Sequence, residues 1–276
     1  MKKLKRIYLE ISNICNLSCS FCIDHQRKPK MMSLDEIRTA LTQIKPLCDY
    51  IYLHVQGEPL IHPQLKEIFD LMDEFDMQVQ LVTNGAFLKD NFWLLERKSL
   101  RKISFSAHSL DHQKMDPEQW LDTVFDFMHQ ASVQKHPYCE IRFWNQNNLS
   151  PSSKLAIDWI NERYPLTETS RKGSWQLMDC CWLHYDNQFK WPDKEGCSLD
   201  VGTCHGAVDM MAILCDGQVV PCCLDARGVI NLGNIFVTSL QDILASKRTQ
   251  DMIQGFKNHK ITEELCKYCT YRLRFK

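Results

Sequence analysis

Three cysteines near the N-terminus have a spacing that suits iron–sulfur chemistry. They are Cys15, Cys19 and Cys22, in the stretch CNLSCSFC. Thiolates at this spacing can wrap one corner of a cuboidal iron–sulfur cluster, which normally takes four cysteine ligands. Three ligands leave one iron open for a substrate or cofactor, much as a catalytic zinc site keeps an open position. The alternative is a zinc site, but no histidine stands at ligand spacing in this loop, and His25 is expected on the polar surface.

The size and charge of the chain argue against several classes of protein. Its 276 residues suffice for one large domain, or for one domain with a small appendage, and a net charge of −1 argues against nucleic acid as a partner. No apolar run approaches the roughly 18 residues of a membrane span. The start of the chain carries Glu10 and lacks a small-residue cleavage site. No signal peptide is therefore predicted, and a cytoplasmic protein is expected.

Fourteen cysteines are unusual for a protein expected in a reducing compartment. In such a compartment, clusters of cysteines indicate metal or redox chemistry more often than disulfides. Cys48 and Cys139 lie in or beside apolar segments, so these two are expected to be small buried hydrophobic residues.

Hydrophobic periodicity and turn residues divide the first 183 residues into alternating strands and helices. Strands are predicted over 6–11, 50–55, 78–83, 102–107, 140–144 and 175–183. Helices are predicted to begin at the capping box of Ser33 and Glu36, at Pro63, at Asp116-Pro117 and at Ser152 or Ser153, with a further helical segment over 91–98.

This alternation of strand and helix predicts an α/β fold with a parallel sheet. Six units are too few for the closed eight-stranded barrel, so an open, partial (β/α)6 TIM-like barrel is expected over residues 1–183. Ligands in such folds bind at the carboxyl ends of the strands. The cysteine loop, QGEP (56–59), TNG (83–85) and SAHS (106–109) all fall there.

Residues 184–276 have a different composition, with a polar, aromatic linker followed by the apolar stretch MMAILCDGQVVPCC. Asp216-Gly217 between two apolar runs predicts a β-hairpin. The hydrophobic content of this region is modest, so a small hairpin-plus-helix domain is expected to need a metal staple.

The loop CNLSCSFC resembles the CxxxCxxC signature of the radical S-adenosylmethionine (SAM) superfamily, including the aromatic Phe21 before the last cysteine. The resemblance implies that Cys15, Cys19 and Cys22 hold a [4Fe–4S] cluster whose fourth iron is chelated by SAM. It also implies that SAM is cleaved reductively and that the 5′-deoxyadenosyl radical abstracts a hydrogen atom from the substrate. The protein would then orient this chemistry and exclude side reactions.

Further SAM-binding residues follow from the same resemblance. QGEP resembles the GGEP motif of the superfamily, with Gln56 in place of its first glycine, which implies that Gly57 and Glu58 bind the SAM amino group. A carboxylate there complements an ammonium donor. Asn84 belongs to a TNG motif found in relatives, for which turn chemistry is the alternative.

Two more candidates lie at strand ends. Ser106 is a candidate for the ribose or carboxylate of SAM, and Arg142 for the SAM carboxylate through a bidentate fork. An ordinary salt bridge is the alternative for Arg142. The glycine-rich strand-five motif of the superfamily is not visible here, so no adenine contact is assigned.

The C-terminal cysteines resemble those of the SPASM domain, a cysteine-rich extension of many radical SAM enzymes. The spacing Cys204-x12-Gly217-x4-Cys222 matches its first half, and Cys266-x2-Cys269 completes a set like that of the shorter twitch domain. The closest spacing is that of a twitch-domain alcohol dehydrogenase. The resemblance implies one auxiliary [4Fe–4S] cluster held by Cys204, Cys222, Cys266 and Cys269. Zinc is the alternative.

The closed ligand set favours an electron-accepting or structural role for this cluster. The chain ends seven residues after Cys269, so a second auxiliary cluster is not expected. Other cysteines lie nearby without matching spacing: Cys180, Cys181, Cys197 and Cys215.

Two residues beside Cys222 are catalytic candidates. Neighbouring side chains on a strand point to opposite faces, so Cys223 is expected to face the barrel mouth. The resemblance to peptide epimerases of the superfamily implies that it donates a hydrogen atom, and a packed thiol is the alternative. Asp225 is a candidate base, by resemblance to other SPASM enzymes.

The resemblance as a whole implies a radical SAM enzyme with one auxiliary cluster, and two reaction types stay open. One is dehydrogenation of a small molecule, with the second electron passing to the auxiliary cluster. The other is maturation or epimerisation of a ribosomal peptide. The chain starts at the first strand without a leader-peptide-binding domain, which favours the small molecule. A flavodoxin- or ferredoxin-type electron donor is the implied partner. A non-catalytic, metal-stapled binding protein is the alternative from another class.

Overall fold

A mixed β-sheet runs through the computed structural model, which describes residues 3–24, 26–169, 172–196 and 198–275. Two predictions concern positions outside the described residues. His25 is predicted on the surface, and Cys197 is predicted not to be a cluster ligand. The strands are β1 (Arg6–Leu9), β2 (Tyr50–Tyr52), β3 (Gln78–Thr83), β4 (Leu100–Ser106), β5 (Tyr138–Phe143), β6 (Thr167–Glu168), β7 (Ser174–Met178), β8 (Cys181–Tyr185), β9 (Met210–Ile213), β10 (Gln218–Val220) and β11 (Gly233–Asn234).

The helices pack around this sheet. They are α1 (Leu34–Ile44), α2 (Leu65–Glu74), α3 (Pro117–Gln134), α4 (Pro151–Arg163), α5 (Leu240–Ala245), α6 (Lys247–Lys257) and α7 (Glu264–Lys267). Shorter 3-10 helices span Pro59–Ile61, Leu88–Glu96, Ala107–His112 and Thr270–Arg274. In the described part of the chain, no helix has the length and apolar character that crossing a membrane requires.

The centre of the sheet confirms the predicted partial barrel. Strands β1, β2, β3, β4, β5 and β8 lie side by side in that order, and every neighbouring pair is parallel. On β1, Ile7 and Leu9 are buried in the same hydrophobic core as helix residues such as Leu41. The alternate residue Tyr8 faces the other way and stacks on Tyr52 of β2, with ring centroids 4.6 Å apart. The outer face of the sheet is therefore the main hydrophobic core, and Tyr8 and Tyr52 lie on the inner face.

Capping residues fix where the helices begin. The Ser33 hydroxyl accepts from the Glu36 backbone N–H at 3.2 Å and the Glu36 carboxylate accepts from the Ser33 N–H at 2.9 Å, which is the predicted capping box. Asp116 caps α3 as predicted, with Pro117 in the first helical position. The cap of α4 is Ser150, two or three residues before the predicted Ser152 or Ser153, because the proline at the first helical position is Pro151.

The predicted sixth strand is in fact a hairpin. Residues 175–183 form β7 and β8, antiparallel to each other, with a turn at Asp179 and Cys180. Cys180 adopts a left-handed backbone (φ 60°), which ends β7. The prediction of one continuous strand was wrong because apolar residues on both sides hide this turn, and β8 alone is the sixth parallel strand, beside β5.

The C-terminal hairpin joins the barrel sheet. Strands β9 and β10 are antiparallel around Asp216-Gly217, as predicted, and Gly217 has φ 85°. Strand β9 also pairs with β1 in parallel, from Arg6 opposite Met210 to Leu9 opposite Ile213. One hydrogen-bonded sheet therefore spans the predicted boundary between residues 183 and 184.

A buried ion pair fastens the loop after β1. Arg27 donates to both oxygens of Glu10, at 2.7 and 2.6 Å, and Glu10 is fully buried. Glu10 also accepts from the backbone N–H groups of Gln56 and Cys215, each at 3.0 Å. Arg27 donates in addition to the Ala226 carbonyl at 2.8 Å. The pair thus connects the N-terminal loop, the loop after β2 and the C-terminal hairpin.

Glu10→Gln tests this connection. The substitution leaves Arg27 as a buried cation without a charged partner, so we expect the free energy of unfolding to fall by about 3–5 kcal/mol. Denaturant unfolding followed by circular dichroism measures the change. The matched control is Glu74→Gln, which breaks a solvent-exposed pair with Arg38 and should leave stability nearly unchanged because water screens such pairs. Equal effects of the two substitutions would contradict the connecting role of Glu10.

Candidate active site

The three N-terminal cysteines lie on a loop at the carboxyl ends of the parallel strands. The backbone N–H of Cys22 donates to the Cys19 carbonyl at 3.0 Å, and the thiols of the two residues are in hydrogen-bonding contact. Cys15 lies near enough to act electrostatically on Cys19, and its sulfur accepts from the Leu17 N–H at 3.4 Å. Cys15 and Cys22 are exposed. Three neighbouring thiols on an open loop fit a cluster corner with one side left accessible.

Glu58 is the buried anchor next to this loop. Its Oε1 accepts from the Thr83 hydroxyl at 2.7 Å and the Leu60 N–H at 3.0 Å, and its Oε2 from the Asn84 N–H at 2.7 Å. The Glu58 N–H donates to the Ile14 carbonyl in the cysteine loop. Burial raises the pKa of Glu58 to about 7, against the effect of these donors. The QGEP and TNG motifs are therefore one hydrogen-bonded unit.

Gly57 lets the loop after β2 approach the cysteine loop. Its backbone has φ 80°, and an added Cβ would overlap the Ser12 carbonyl oxygen and lie 2.9 Å from that of Ile14. Glycine avoids both the steric overlap and the cost of a left-handed backbone.

Asn84 reaches toward the cysteines. Its side-chain amide donates to Asn16 at 2.8 Å and lies 3.8 Å from the Cys15 sulfur. Its backbone carbonyl accepts from Trp120 and Gln113, at 2.8 and 2.6 Å. The Ala86 N–H also donates to Asn84 Oδ1 at 3.0 Å, which is the local turn contact that the alternative predicts. Asn84 thus lies beside the cysteine loop and also shapes its own turn.

Phe21 belongs to an aromatic cluster that the sequence did not reveal. Its ring packs against Phe189 at 4.9 Å, and its carbonyl accepts from the Trp191 indole N–H at 2.8 Å. Phe189 also contacts Trp144 and Tyr271, at 5.6 and 5.3 Å. The segment predicted as a linker therefore covers the cysteine loop. Its signal in the sequence was the aromatic pair in QFKWP, within an otherwise polar stretch.

Ser106 and Arg142 lie opposite each other at the same rim. They pair in register on β4 and β5, and Arg142 pairs with His184 on β8. The Arg142 guanidinium lies 5.6 Å from the Trp144 ring and acts electrostatically on His54 and His108.

The four C-terminal cysteines of the predicted auxiliary site line one cavity. They are Cys204, Cys222, Cys266 and Cys269. Apolar side chains complete its wall, including Met252, Phe256 and Leu265. Arg272 fixes one side, because its Nε donates to the Cys266 carbonyl at 3.0 Å. Four thiols in an apolar cavity are a donor set that suits an iron–sulfur cluster. Within the described residues, no three potential ligands converge closely enough to hold a single metal ion.

Cys222 and Cys223 follow β10 in a turn rather than lying on the strand, and their side chains face different surroundings. Cys222 lines the auxiliary cavity, whereas Cys223 packs against an apolar cluster that includes Ala212 and Leu214. The Cys223 thiol is in hydrogen-bonding contact with the Tyr8 hydroxyl on the inner face of β1.

Asp225 is engaged by the backbone around it. Its two carboxylate oxygens accept from the N–H groups of Val229 and Ile230, at 2.8 and 2.7 Å. It lines the auxiliary cavity and is buried, and burial raises its pKa. These contacts give Asp225 a role in shaping the loop after Cys223.

The remaining described cysteines lie elsewhere. Cys48 and Cys139 are buried in the hydrophobic core. Cys181 is buried beside Cys139 on the neighbouring strand, and Cys215 lies within 3.6 Å of Arg27. Cys180 sits in the β7–β8 turn.

Two family models match the regions of the chain that contain the two cysteine sets. The model of the radical SAM superfamily matches residues 9–134, and that of the SPASM iron–sulfur cluster-binding domain matches residues 204–270. The chain therefore contains a radical SAM domain and a SPASM domain. A radical SAM domain implies SAM and a [4Fe–4S] cluster, and a SPASM domain implies auxiliary iron–sulfur binding.

Curated relatives of this radical SAM chain include GTP 3′,8-cyclases. The enzyme of Aquifex aeolicus is 28% identical over 121 residues, which cover 41% of this chain and 38% of the relative. That of Microcystis aeruginosa is 31% identical over 120 residues, which cover 40% and 36%. The chain thus spans about two fifths of the length of these relatives.

Solved structures share the fold over nearly the whole chain. BtrN in complex with AdoMet and 2-DOIA has a TM-score of 0.62 at 17% identity, covering 98% of this chain and 94% of BtrN. Streptococcus suis SuiB bound to S-adenosylmethionine has a TM-score of 0.62 at 16% identity, covering 97% and 70%. The enzyme anSMEcpe with AdoMet and the Cp18Cys peptide has a TM-score of 0.61 at 15% identity, covering 96% and 86%.

Gly57→Ala tests the close approach of the two loops. We expect the thermal unfolding midpoint to fall and the cysteine loop to become more sensitive to proteolysis, because the new Cβ displaces the Ser12 carbonyl. The matched control is Gly196→Ala, which also has a positive φ (99°) but has no atom within 4 Å of the new Cβ. The free energy of unfolding of the control should fall by only about 1 kcal/mol, which is the cost of placing alanine in a left-handed backbone. If both variants behave alike, the contact with Ser12 does not position the loop.

Proposed function

We propose that this enzyme cleaves SAM reductively and abstracts a hydrogen atom from a small substrate. The observation that carries the proposal is the group of three thiols on the open loop beside the buried Glu58. When bound, the first cluster supplies the electron that cleaves SAM to the 5′-deoxyadenosyl radical, and the auxiliary cluster supplies an acceptor for the substrate's remaining electron. In this proposal Cys15, Cys19 and Cys22 hold the first cluster.

Glu58 is suited to the amino group of SAM. An ionised carboxylate offers about four acceptor positions, and three of them are taken by Thr83, Leu60 and Asn84. One position remains on Oε2 for an ammonium donor. A cation there would offset the burial that raises the pKa of Glu58 and would keep the carboxylate ionised.

Other groups on the rim would orient SAM. Gly57 allows the backbone next to Glu58 to approach the cysteine loop, and Asn84 lies between that loop and Glu58. Ser106 offers a hydroxyl at the end of β4. Phe21, held by Phe189 and Trp191, would pack beside the loop that carries the cluster.

One auxiliary [4Fe–4S] cluster would be held by the four cysteines that line the same cavity, which are Cys204, Cys222, Cys266 and Cys269. With every iron ligated by cysteine, such a cluster would transfer electrons or stabilise the C-terminal region rather than bind substrate. An external flavodoxin- or ferredoxin-type donor would supply the electron for SAM cleavage.

A small molecule is the favoured substrate class. The curated relatives are named for GTP, a small molecule, and BtrN was solved with 2-DOIA. Dehydrogenation of such a molecule is the reaction we favour. Maturation of a peptide is the second candidate, because SuiB and anSMEcpe have been solved with peptides and share the fold.

Iron counting tests the two cysteine sets. Anaerobic reconstitution should give about eight irons per chain, four for each cluster, and SAM with reductant should yield 5′-deoxyadenosine. Replacing Cys15, Cys19 and Cys22 by Ala should leave about half of the iron and abolish 5′-deoxyadenosine. The control Cys180→Ser should keep all of the iron. Bound zinc without SAM cleavage would instead support a metal-stapled binding protein, and a triple variant without iron would refute the auxiliary ligand set.

If the reaction is instead epimerisation of a peptide, Cys223 is our candidate hydrogen donor, because its thiol contacts the Tyr8 hydroxyl on the inner face of β1. For epimerisation we expect Cys223→Ala to cleave SAM but to stall after hydrogen abstraction, so that 5′-deoxyadenosine forms without product, whereas dehydrogenation needs no hydrogen donor. Mass spectrometry of the reaction mixture measures both. Normal product formation would remove Cys223 from the mechanism. For Asp225 we propose a positioning role rather than that of a base, because both carboxylate oxygens are already engaged.

A further inference from the structure

Arg272 is a buried cation in the wall of the cavity that the four C-terminal cysteines line. Only 3% of its surface is exposed. Its guanidinium donates to three backbone carbonyls, from Nε to Cys266 at 3.0 Å, from Nη1 to Val201 at 3.0 Å and from Nη2 to Leu199 at 2.7 Å. The side chain therefore connects the segment 199–201 to the segment that carries Cys266.

Gly202 makes room for this guanidinium. A Cβ at position 202 would overlap Nη1 of Arg272, and the backbone there has φ 143°, which favours glycine. The backbone of this segment thus forms a fitted seat for the guanidinium. The position of the positive charge relative to the cavity is therefore fixed by the fold.

The charge of Arg272 is met by no carboxylate in the described part of the chain. Backbone carbonyls engage three of its five N–H donors but carry no net charge. Asp225 is the other charged side chain among the described residues of the cavity wall, and its oxygens accept from the N–H groups of Val229 and Ile230 instead. A buried cation without a counter-charge is costly. The wall of this cavity is therefore suited to an anionic occupant.

We propose that Arg272 is a positioning residue that supplies the counter-charge of the auxiliary cluster and raises its reduction potential. A [4Fe–4S] cluster with four thiolate ligands is an anion, and uptake of an electron makes it more negative by one charge. A cation in the cavity wall stabilises the reduced form more than the oxidised form. The inference rests on the auxiliary cluster of the proposed function and adds that this cluster takes up electrons rather than acting as a staple alone.

The surroundings of the cysteines make this charge effective. Apolar side chains such as Met252, Phe256 and Leu265 complete the cavity wall, so an added negative charge would be poorly solvated there and a nearby cation is weakly screened. The Gly206 N–H also donates to the Cys204 sulfur at 3.5 Å. Net charge, hydrogen bonds to the sulfurs and solvent exposure together set the potential of such a cluster.

Redox titration of the auxiliary cluster, followed by electron paramagnetic resonance, tests the proposal. The parent is the full chain with Cys15, Cys19 and Cys22 replaced by Ala, because only the auxiliary cluster should remain in it after anaerobic reconstitution. In this parent, Arg272→Gln removes the charge. The equilibrium constant for one-electron reduction should then fall at least tenfold, a shift of about 59 mV toward more negative potential. Arg272→Lys keeps the charge without the planar fork and should shift the potential by less than about half as much.

Arg274→Gln is the matched control. Arg274 lies on the same 3-10 helix as Arg272, but its side chain is partly exposed and pairs with Asp186 at 2.9 Å. Loss of this charge should leave the potential of the cluster unchanged, because water screens it.

Three results would overturn the role of Arg272. These are the parent potential in Arg272→Gln, a shift in Arg272→Lys as large as that in Arg272→Gln, and a parent cluster that the titration cannot reduce. If Arg272→Gln binds no iron, Arg272→Lys decides alone. Iron held within half of the expected shift from the parent potential supports the counter-charge, and loss of iron or a larger shift overturns it.

The iron content of the parent keeps this question apart from the proposed function. A parent without iron refutes the auxiliary ligand set, and the role of Arg272 with it. A parent that holds about half of the wild-type iron, with an unchanged potential in Arg272→Gln, refutes only the role of Arg272.

Discussion

The carboxylate of Glu10 is where the separate parts of this molecule meet. It accepts two bonds from Arg27 and one each from the backbones of Gln56 and Cys215. Separating these two charges in a low-dielectric interior would require a large free energy, so the segments that carry them move together. This carboxylate therefore holds four segments in one arrangement. They are the end of β1, the end of the cysteine loop, the segment that leads to Glu58, and the C-terminal hairpin.

The cysteine loop is fixed at its base and open at its tip. Near the base, Asn13 pairs with the backbone of Lys28 and Lys30 at 2.9 and 2.8 Å, next to the Arg27 contact. Toward the tip the cysteines are exposed or half-exposed, and the main neighbours are the aromatic rings around Phe189. A rigid base with an accessible tip suits a site that must accept both a cluster and a large cofactor.

Much of the barrel could be predicted from the sequence, because short stretches of neighbouring residues determine where its helices and turns begin. The capping box at Ser33 and the Asp-Gly turn at 216–217 lie within a few residues of the features they determine. The turn at Asp179 could not be foreseen, since apolar residues flank it without a break and only the left-handed backbone of Cys180 marks it. Both cysteine sets were also visible in their spacing, and the matched superfamily and SPASM regions agree with that interpretation.

The remaining parts of the site depend on contacts between distant segments. Glu10 and Arg27 are ordinary charged residues in the sequence, and their burial follows only from the folding back of the loop. Phe189 and Trp191 lie in a stretch without periodicity, so no strand or helix pattern pointed to them. The burial of Arg272 beside the cysteine-lined cavity is likewise a property of the folded C-terminal region, which no motif describes.

The pairing of β9 with β1 also has a consequence for how the protein tolerates damage. Without β9, the backbone N–H and C=O groups of β1 would form an exposed sheet edge, which readily recruits other chains. The hairpin that covers this edge leads directly into the cysteine-lined cavity through Pro221 and Cys222. Damage to the wall of this cavity therefore acts on the same segment that keeps the edge of β1 covered.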